Sequence, residues 1–354
     1  MARWTRLAVV AWGLLTGSAA VVCGADSPAG LAADVPEDTA LFVEIPALEA
    51  TWTAWEGAEL QQRVQSSRLA AVWLQSRFVE RWQALDRHAA ARTGQPLTQH
   101  LRQLFADGVA VAVVLRGPEP VGMLVSRARS AEALSASLKA WDQLEPPLRT
   151  EPRAEMAGQY FARVLRKGGQ EQTVYYAVSG PRFVLSDQEA LVRECVGRWQ
   201  SAAADRRRSL ADQPEFQELL TNDVPAARFF VAAQRWQPLL NRLSDGTPAA
   251  ELILSGVKTL RGVAGEVRFN AGVIATLTVA LEPAALSAGW NDFQQSADRW
   301  PTSLTEIPAE AFLALGGRWN VRPMTDSLEP LLSEQDRREW QRGTRVLRTL
   351  LLDV

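Results

Sequence analysis

The sequence predicts an α+β protein, with antiparallel sheets built from hairpins, helices packed mainly on one face, and repeated modules. Three observations carry that prediction. Short runs of apolar and β-branched residues come in pairs, split by turn residues. Between them, apolar residues recur at spacings of three and four, the mark of one buried helix face. A proline-containing step into an apolar strand also returns three times along the 354 residues.

Taken in order, Ala40 to Ile45 reads as the first strand. Phe78, Val79, Trp82, Leu85 and Ala89 then share one helix face, and Leu97, Leu101, Leu104 and Phe105 repeat the pattern after Pro96. Val109 to Leu115 and Val121 to Val125 form a hairpin around a turn stiffened by Pro118 and Pro120. Ser130 caps a helix running to about Leu144, and Pro146-Pro147 ends that unit. Tyr160 to Leu165 and Thr173 to Val178 make a second hairpin around Gly168-Gly169, Phe183 to Leu185 adds a strand, and Ser186 opens a helix to about Gln200.

The opening pattern then recurs. Val35-Pro36 leads into the first strand, Val224-Pro225 leads into Arg228 to Val231, and Ile307-Pro308 leads into Ala311 to Leu315. Strands at Val263 to Phe269 and Val273 to Leu281 and a helix from about Ser287 follow the second opening, in the order of the first unit. The predicted organisation is therefore a leader at 1–25, modules at 26–205 and 206–300, and a partial third module at 301–354. Trp340, Leu347, Leu350 and Leu351 line one face of a last helix that lacks a partner, so the expectation is a truncated final unit.

The leader has the order of a secretory signal. Arg3 and Arg6 make a positive start, Leu7 to Leu15 is apolar, and Cys23 and Ala25 offer small residues for cleavage after Ala25. An uncleaved membrane anchor ranks second, because Gly13, Thr16, Gly17 and Ser18 break a run that needs about 20 apolar residues. A lipoprotein ranks third, since Val22 precedes Cys23, and an ordinary core helix ranks last. The expected address is secreted or periplasmic.

Composition removes other classes. Net charge is −2, and losing Arg3 and Arg6 takes it to −4, which leaves no cationic surplus for phosphates and argues against a nucleic-acid partner. The basic run Arg206 to Arg208 lies beside Asp205 and reads as a solvated turn. Without Cys23, Cys195 stands alone on an apolar helix face and reads as a buried structural cysteine.

No phosphate-binding loop, nucleophile elbow or zinc-protease helix motif occurs, and His88 and His100 read as surface or boundary residues. No catalytic residue, cofactor or metal ligand is assigned. Glu189 after Ser186 and Glu215 after Asp212 read as capping boxes. Glu44, an acid within an apolar strand, reads as outward-facing. Most of the 13 tryptophans are expected in the core, and Trp52 and Trp55, just after the first strand, are the candidates for partner contact.

Val35-Pro36-Glu37-Asp38-Thr39-Ala40-Leu41-Phe42-Val43 and Asp212-Gln213-Pro214-Glu215-Phe216 resemble segments of a family of exported bacterial proteins known as a domain of unknown function. Glu37 stands where alanine is commoner, and Gln213 interrupts an Asp-Pro pair. The resemblance implies an exported, non-enzymatic or uncharacterised protein and transfers no catalytic residues.

Together these readings favour a non-enzymatic binding or scaffold module for an unknown protein or envelope component. A carboxylate-based hydrolase of envelope polymers and a carrier for an apolar ligand are the alternatives.

Overall fold

A computed structural model of the protein describes residues 30–56, 74–117, 119–155, 158–201, 208–220, 225–243, 257–269 and 273–282, with 65, 70, 254, 337 and 338 as isolated positions. Ala25 and the leader lie outside the described residues, as do nearly all of 283–354, which hold the third opening, Trp290, Trp300, Trp319 and Trp340. The chain divides into two compact units. One comprises Met1–Arg235 with Gly262–Ala280, and the other Trp236–Arg261 with Leu281–Val354.

The fold is α+β, and its centre is one antiparallel sheet of ten strands. The strands are β1 (Thr39–Ile45), β2 (Val109–Val114), β3 (Val121–Arg127), β4 (Arg149–Glu155), β5 (Gly158–Lys167), β6 (Gln170–Ser179), β7 (Arg182–Ser186), β8 (Ala227–Val231), β9 (Leu260–Phe269) and β10 (Val273–Leu281). Their order is β10-β9-β8-β1-β2-β3-β7-β6-β5-β4. The hairpins read from the sequence are present. Gly168 and Gly169 have φ of 60° and 82°, the positive values that a two-residue turn demands between Lys167 and its partner Gln170.

The first and second segments share this sheet. The division at 205/206 falls between β7 and β8, yet β8 pairs with β1, Phe42 opposite Phe230 and Glu44 opposite Arg228. β1 is thereby a central strand, flanked by β2 and β8.

The helices are α1 (Leu48–Glu56), α2 (Arg77–Thr93), α3 (Leu97–Leu104), α4 (Ala131–Leu144), α5 (Glu189–Gln200), α6 (Pro214–Leu219) and α7 (Ala233–Leu243). Sequence reasoning places them mainly on one face; the structure divides them between both. Val184 packs with Leu191, Val192 and Cys195 of α5 and with Phe216 of α6. Its neighbour Phe183 points the other way, into Leu134, Leu138 and Trp141 of α4. Ile45 and Val109 meet Leu48, Leu101 and Phe105 on that second face. The physical reason is the composition of the central strands. β2 is a run of Val and Ala with no polar face, and a strand apolar on both sides needs two covering layers.

Phe216 joins the α5 face to the sheet, edge-on to Phe42 at 5.8 Å and to Phe230 at 5.4 Å between ring centres. On the other face, Arg163 of β5 is fully buried against α4. It bonds to Asp142 and the Glu145 carbonyl and lies 3.9 Å over the Trp141 ring.

The two edges differ. β4 carries Pro152 and a ladder of Arg149, Glu151 and Arg153 paired with one another and with Glu171 and Glu189, features that discourage further strand pairing. β10 exposes Ile274, Leu277 and Val279.

Of the second unit, the described residues are Trp236 to Leu243 of α7, which carries Pro238 within it, and positions 254, 257–261, 281, 282, 337 and 338.

Candidate functional site

The antiparallel register dictates where polar side chains gather. Thr39, at the start of β1, pairs with Val114, at the end of β2. Leu41 pairs with Val231, at the end of β8. Residues just before β1, just after β2 and just after β8 therefore meet at one end of the sheet. They are Pro36, Glu37 and Asp38, then Arg116, then Arg235. α5 crosses the same end and adds Glu194 and Arg198, one helical turn apart. With Arg208, these residues line a cavity of about 320 Å³.

The floor before β1 is pinned from several directions. Pro36 bridges to Ser209, the Leu210 N–H donates to the Val35 carbonyl at 3.1 Å, and the Gln213 amide donates to the Glu37 carbonyl. Ser209 and Asp212 hold this second strap in shape through a capping box. Thr39 donates from its hydroxyl to the Pro36 carbonyl at 2.7 Å, closing the turn that leads into β1.

Within the cavity the charges are unequally satisfied. Arg116 is saturated. Its guanidinium forks onto Asp38, at 2.8 Å for the Nη2 contact, and onto Glu194, at 2.5 and 2.9 Å. The hydrogen bonds Arg116 donates to those two carboxylates push its pKa up. Burial pushes the Asp38 carboxyl up, but Arg116 outweighs it and holds the group below its ordinary range. Arg208 is exposed and stands 3.6 Å from Glu37.

Arg198 is different. Its side chain is 2% exposed, its Nη2 makes only long contacts of 3.5 Å to Glu194 and to the Arg208 carbonyl, and its Nε and Nη1 have no partner. Arg235 is half-buried, and among the described residues its guanidinium has no hydrogen bond or ion pair; Asp38, Glu37 and Glu215 act on it through space. Burial lowers the pKa of both Arg198 and Arg235. Four arginines face three carboxylates here, so the lining carries one net positive charge. That charge is concentrated on the two arginines lacking close partners.

Glu44 corrects its sequence reading. It is fully buried, because β1 is covered on both faces. Arg228 Nε donates to one of its oxygens at 2.6 Å and the Leu31 N–H to the other at 2.7 Å. Arg228 lies across the register from Glu44 on one side and Glu266 on the other, so acid, base and acid form a buried row over three strands. A catalytic carboxylate must reach a substrate, whereas both Glu44 oxygens are taken within the core.

The capping assignments also change. α5 is capped by Gln188 without a side-chain bond, and Ser186 instead donates to the Gly122 carbonyl at 2.8 Å. Glu189 accepts from the Tyr160 hydroxyl at 2.6 Å and from Arg153 at 3.0 Å, and the Tyr160 bond leads in holding its carboxyl below the ordinary range. Asp212 caps with Ser209, and α6 begins at Pro214.

Trp52 and Trp55 are half-buried on α1, away from the cavity lining. Arg102 lies 5.6 Å over the Trp52 ring while it grips Glu49 at 2.7 Å. Cys195 is fully buried in the core. His88 is exposed, and His100 is half-buried with its Nε2 2.7 Å from the Thr93 hydroxyl. Among the described residues there is no cluster of three or more His, Cys, Asp or Glu able to hold a metal ion, and no helix is long and apolar enough to cross a membrane.

Sequence reasoning assigned no role to Arg116, Arg198 or Arg235. One signal was present. Leu191, Cys195 and Arg198 recur at four and three residues, so Arg198 stands on the apolar stripe of α5 where a charge has no place unless something meets it.

No protein-family model matches the chain, and no curated protein matches it. A solved structure, crystal form III of TP0453, overlaps 75% of this chain and 83% of its own at 11% identity and a TM-score of 0.34, a likeness too slight to transfer a function.

Proposed function

We propose that the chain is an exported, non-enzymatic binding module for an envelope component, and that its binding element is the arginine-lined cavity at the end of the central strands. The observation that carries this reading is the Arg198 guanidinium, 2% exposed, with two N–H-bearing nitrogens unpartnered. A buried charge met only by long contacts is costly to fold, and a ligand anion would offset the cost. Export rests on the order of Arg3, Arg6, the apolar run and Ala25.

The alternatives fit less well. The buried acids Glu44 and Glu266 flank Arg228 inside the sheet, which suits structural charge pairing better than hydrolysis. A carrier for apolar ligands calls for an apolar cavity, and this one is lined by seven charged residues and a proline.

The test is thermal unfolding of the full chain against small anions, neutral sugars and a fatty acid, with assays for bond cleavage in envelope polymers. An anion at about 100 times its Kd should stabilise by about 2.7 kcal/mol and raise the midpoint by several degrees. No polymer should be cleaved. Stabilisation by the fatty acid alone, or release of polymer fragments, would contradict the proposal.

A further inference from the structure

The charge arithmetic and the size of the cavity go further and identify a class of ligand; this step rests on the cavity being the binding element. We infer that the cavity takes a hydroxylated organic monocarboxylate of the sugar-acid type, its carboxylate held by Arg198 and Arg235.

Three features of the lining lead there. The first is charge. Arg116 is consumed by Asp38 and Glu194, and Arg208 faces Glu37, so the unmet positive charge is that of Arg198 and Arg235 set against one surplus negative charge on the Asp38–Arg116–Glu194 cluster. The net value of plus one is neutralised by a single negative charge. A dianion would overshoot and meet the three carboxylates of the rim, Glu37, Asp38 and Glu194, as like charges. The second is geometry. The Arg198 Nε–H and Nη1–H lie on different edges of the guanidinium and lack partners, so each offers one charge-assisted hydrogen bond to a carboxylate oxygen, and Arg235 brings a second guanidinium to the same lining. The third is size and polarity. About 320 Å³ exceeds the needs of a lone small ion. Apart from Pro36, the rest of the lining consists of three carboxylates, Arg116 and Arg208, groups that accept from or donate to hydroxyls and offer little to a hydrocarbon body.

The roles divide accordingly. Arg198 and Arg235 are the ligand-binding pair. Arg116 is a positioning residue, which fixes Asp38 against Glu194 and so sets the width of the cavity between β1 and α5.

Isothermal titration of the full chain with glucuronate, acetate, glucose and glucose 6-phosphate tests the inference. The parent should bind glucuronate at one site, glucose not measurably, and acetate and glucose 6-phosphate at least tenfold more weakly. Arg235→Gln should weaken glucuronate binding tenfold or more without lowering the thermal midpoint, and Arg198→Met should abolish it. Because Arg198→Met replaces a buried charge met only by long contacts with an apolar chain of similar length, it should fold at least as stably as the parent.

Tighter binding of glucose 6-phosphate than glucuronate overturns the monocarboxylate assignment and leaves the anion-binding module standing. Equal binding of acetate overturns the requirement for a hydroxylated body. Glucuronate binding that survives both arginine substitutions places it elsewhere and overturns the site. If no anion binds the parent, the inference and the proposed function fall together.

Discussion

At the scale of single residues, the molecule spends its buried charges in two ways. Glu44 and Arg228 close on each other at 2.6 Å inside the core, and the Leu31 N–H completes the set. Glu44→Ala leaves Arg228 without that partner and should cost about 3–5 kcal/mol in chemical denaturation, whereas changing both residues to methionine should cost much less. Gly30 belongs to the same arrangement. Its φ is +53°, and a Cβ there would lie 2.6 Å from both an Arg228 nitrogen and a Glu44 oxygen. Gly30→Ala should therefore destabilise by about 1–3 kcal/mol in the same measurement, through backbone strain and a pushed-apart ion pair. Arg198 is the opposite case, a buried charge incompletely met by the chain itself. Cys195, fully buried among Leu191, Val192 and Val196, should resist an impermeant maleimide in the native protein and react once it is unfolded. Rapid native labelling would contradict its place in the core.

At the scale of elements, the sequence was most legible where one residue pattern had one physical solution. The alternation and turn glycines around Gly168-Gly169 admit little but a hairpin, and β5 and β6 pair across it. The helix at Ser130 is also as read, with the Ser130 hydroxyl accepting from the Ala133 N–H at 3.2 Å. Ser130→Ala should cost about 1 kcal/mol of stability; an unchanged midpoint would show that tertiary packing alone fixes the start of α4. Legibility failed where tertiary partners decide. Glu44 follows the strand period, yet the period cannot say whether both faces are covered. Ser186 and Glu189 have capping-box spacing, but Gly122 and Tyr160 offer them better partners from distant strands. β4 was not foreseen at all, because Arg149 to Glu155, with Pro152 inside, has the composition of a loop and becomes a strand only as a protected edge beside β5.

At the scale of the whole molecule, joining the sequence segments through the β1–β8 pair is what creates the cavity. The ends of β2 and β8 reach the start of β1 only in that strand order, so residues as distant in sequence as Asp38, Arg116 and Arg235 become neighbours. A single sequence shows the arginines but not the register that collects them. The charge pattern also sets the response to acid. Asp38, Glu49 and Glu189 are held below their ordinary values by Arg116, by Arg102, and by Tyr160 with Arg153. A carboxylate depressed in the folded state stabilises it fully above the unfolded pKa and progressively less as pH falls through the folded value. Unfolding free energy should thus lose this contribution as pH drops below about 4.5, with none of that loss between pH 6 and 8. The most direct test of the account remains the thermal midpoint of the parent and of Arg198→Met, each with and without saturating glucuronate. The ligand should raise the parent's midpoint by several degrees, while Arg198→Met should start at or above the parent and not respond. An Arg198→Met protein that melts well below the parent, or that responds to glucuronate as the parent does, would contradict it.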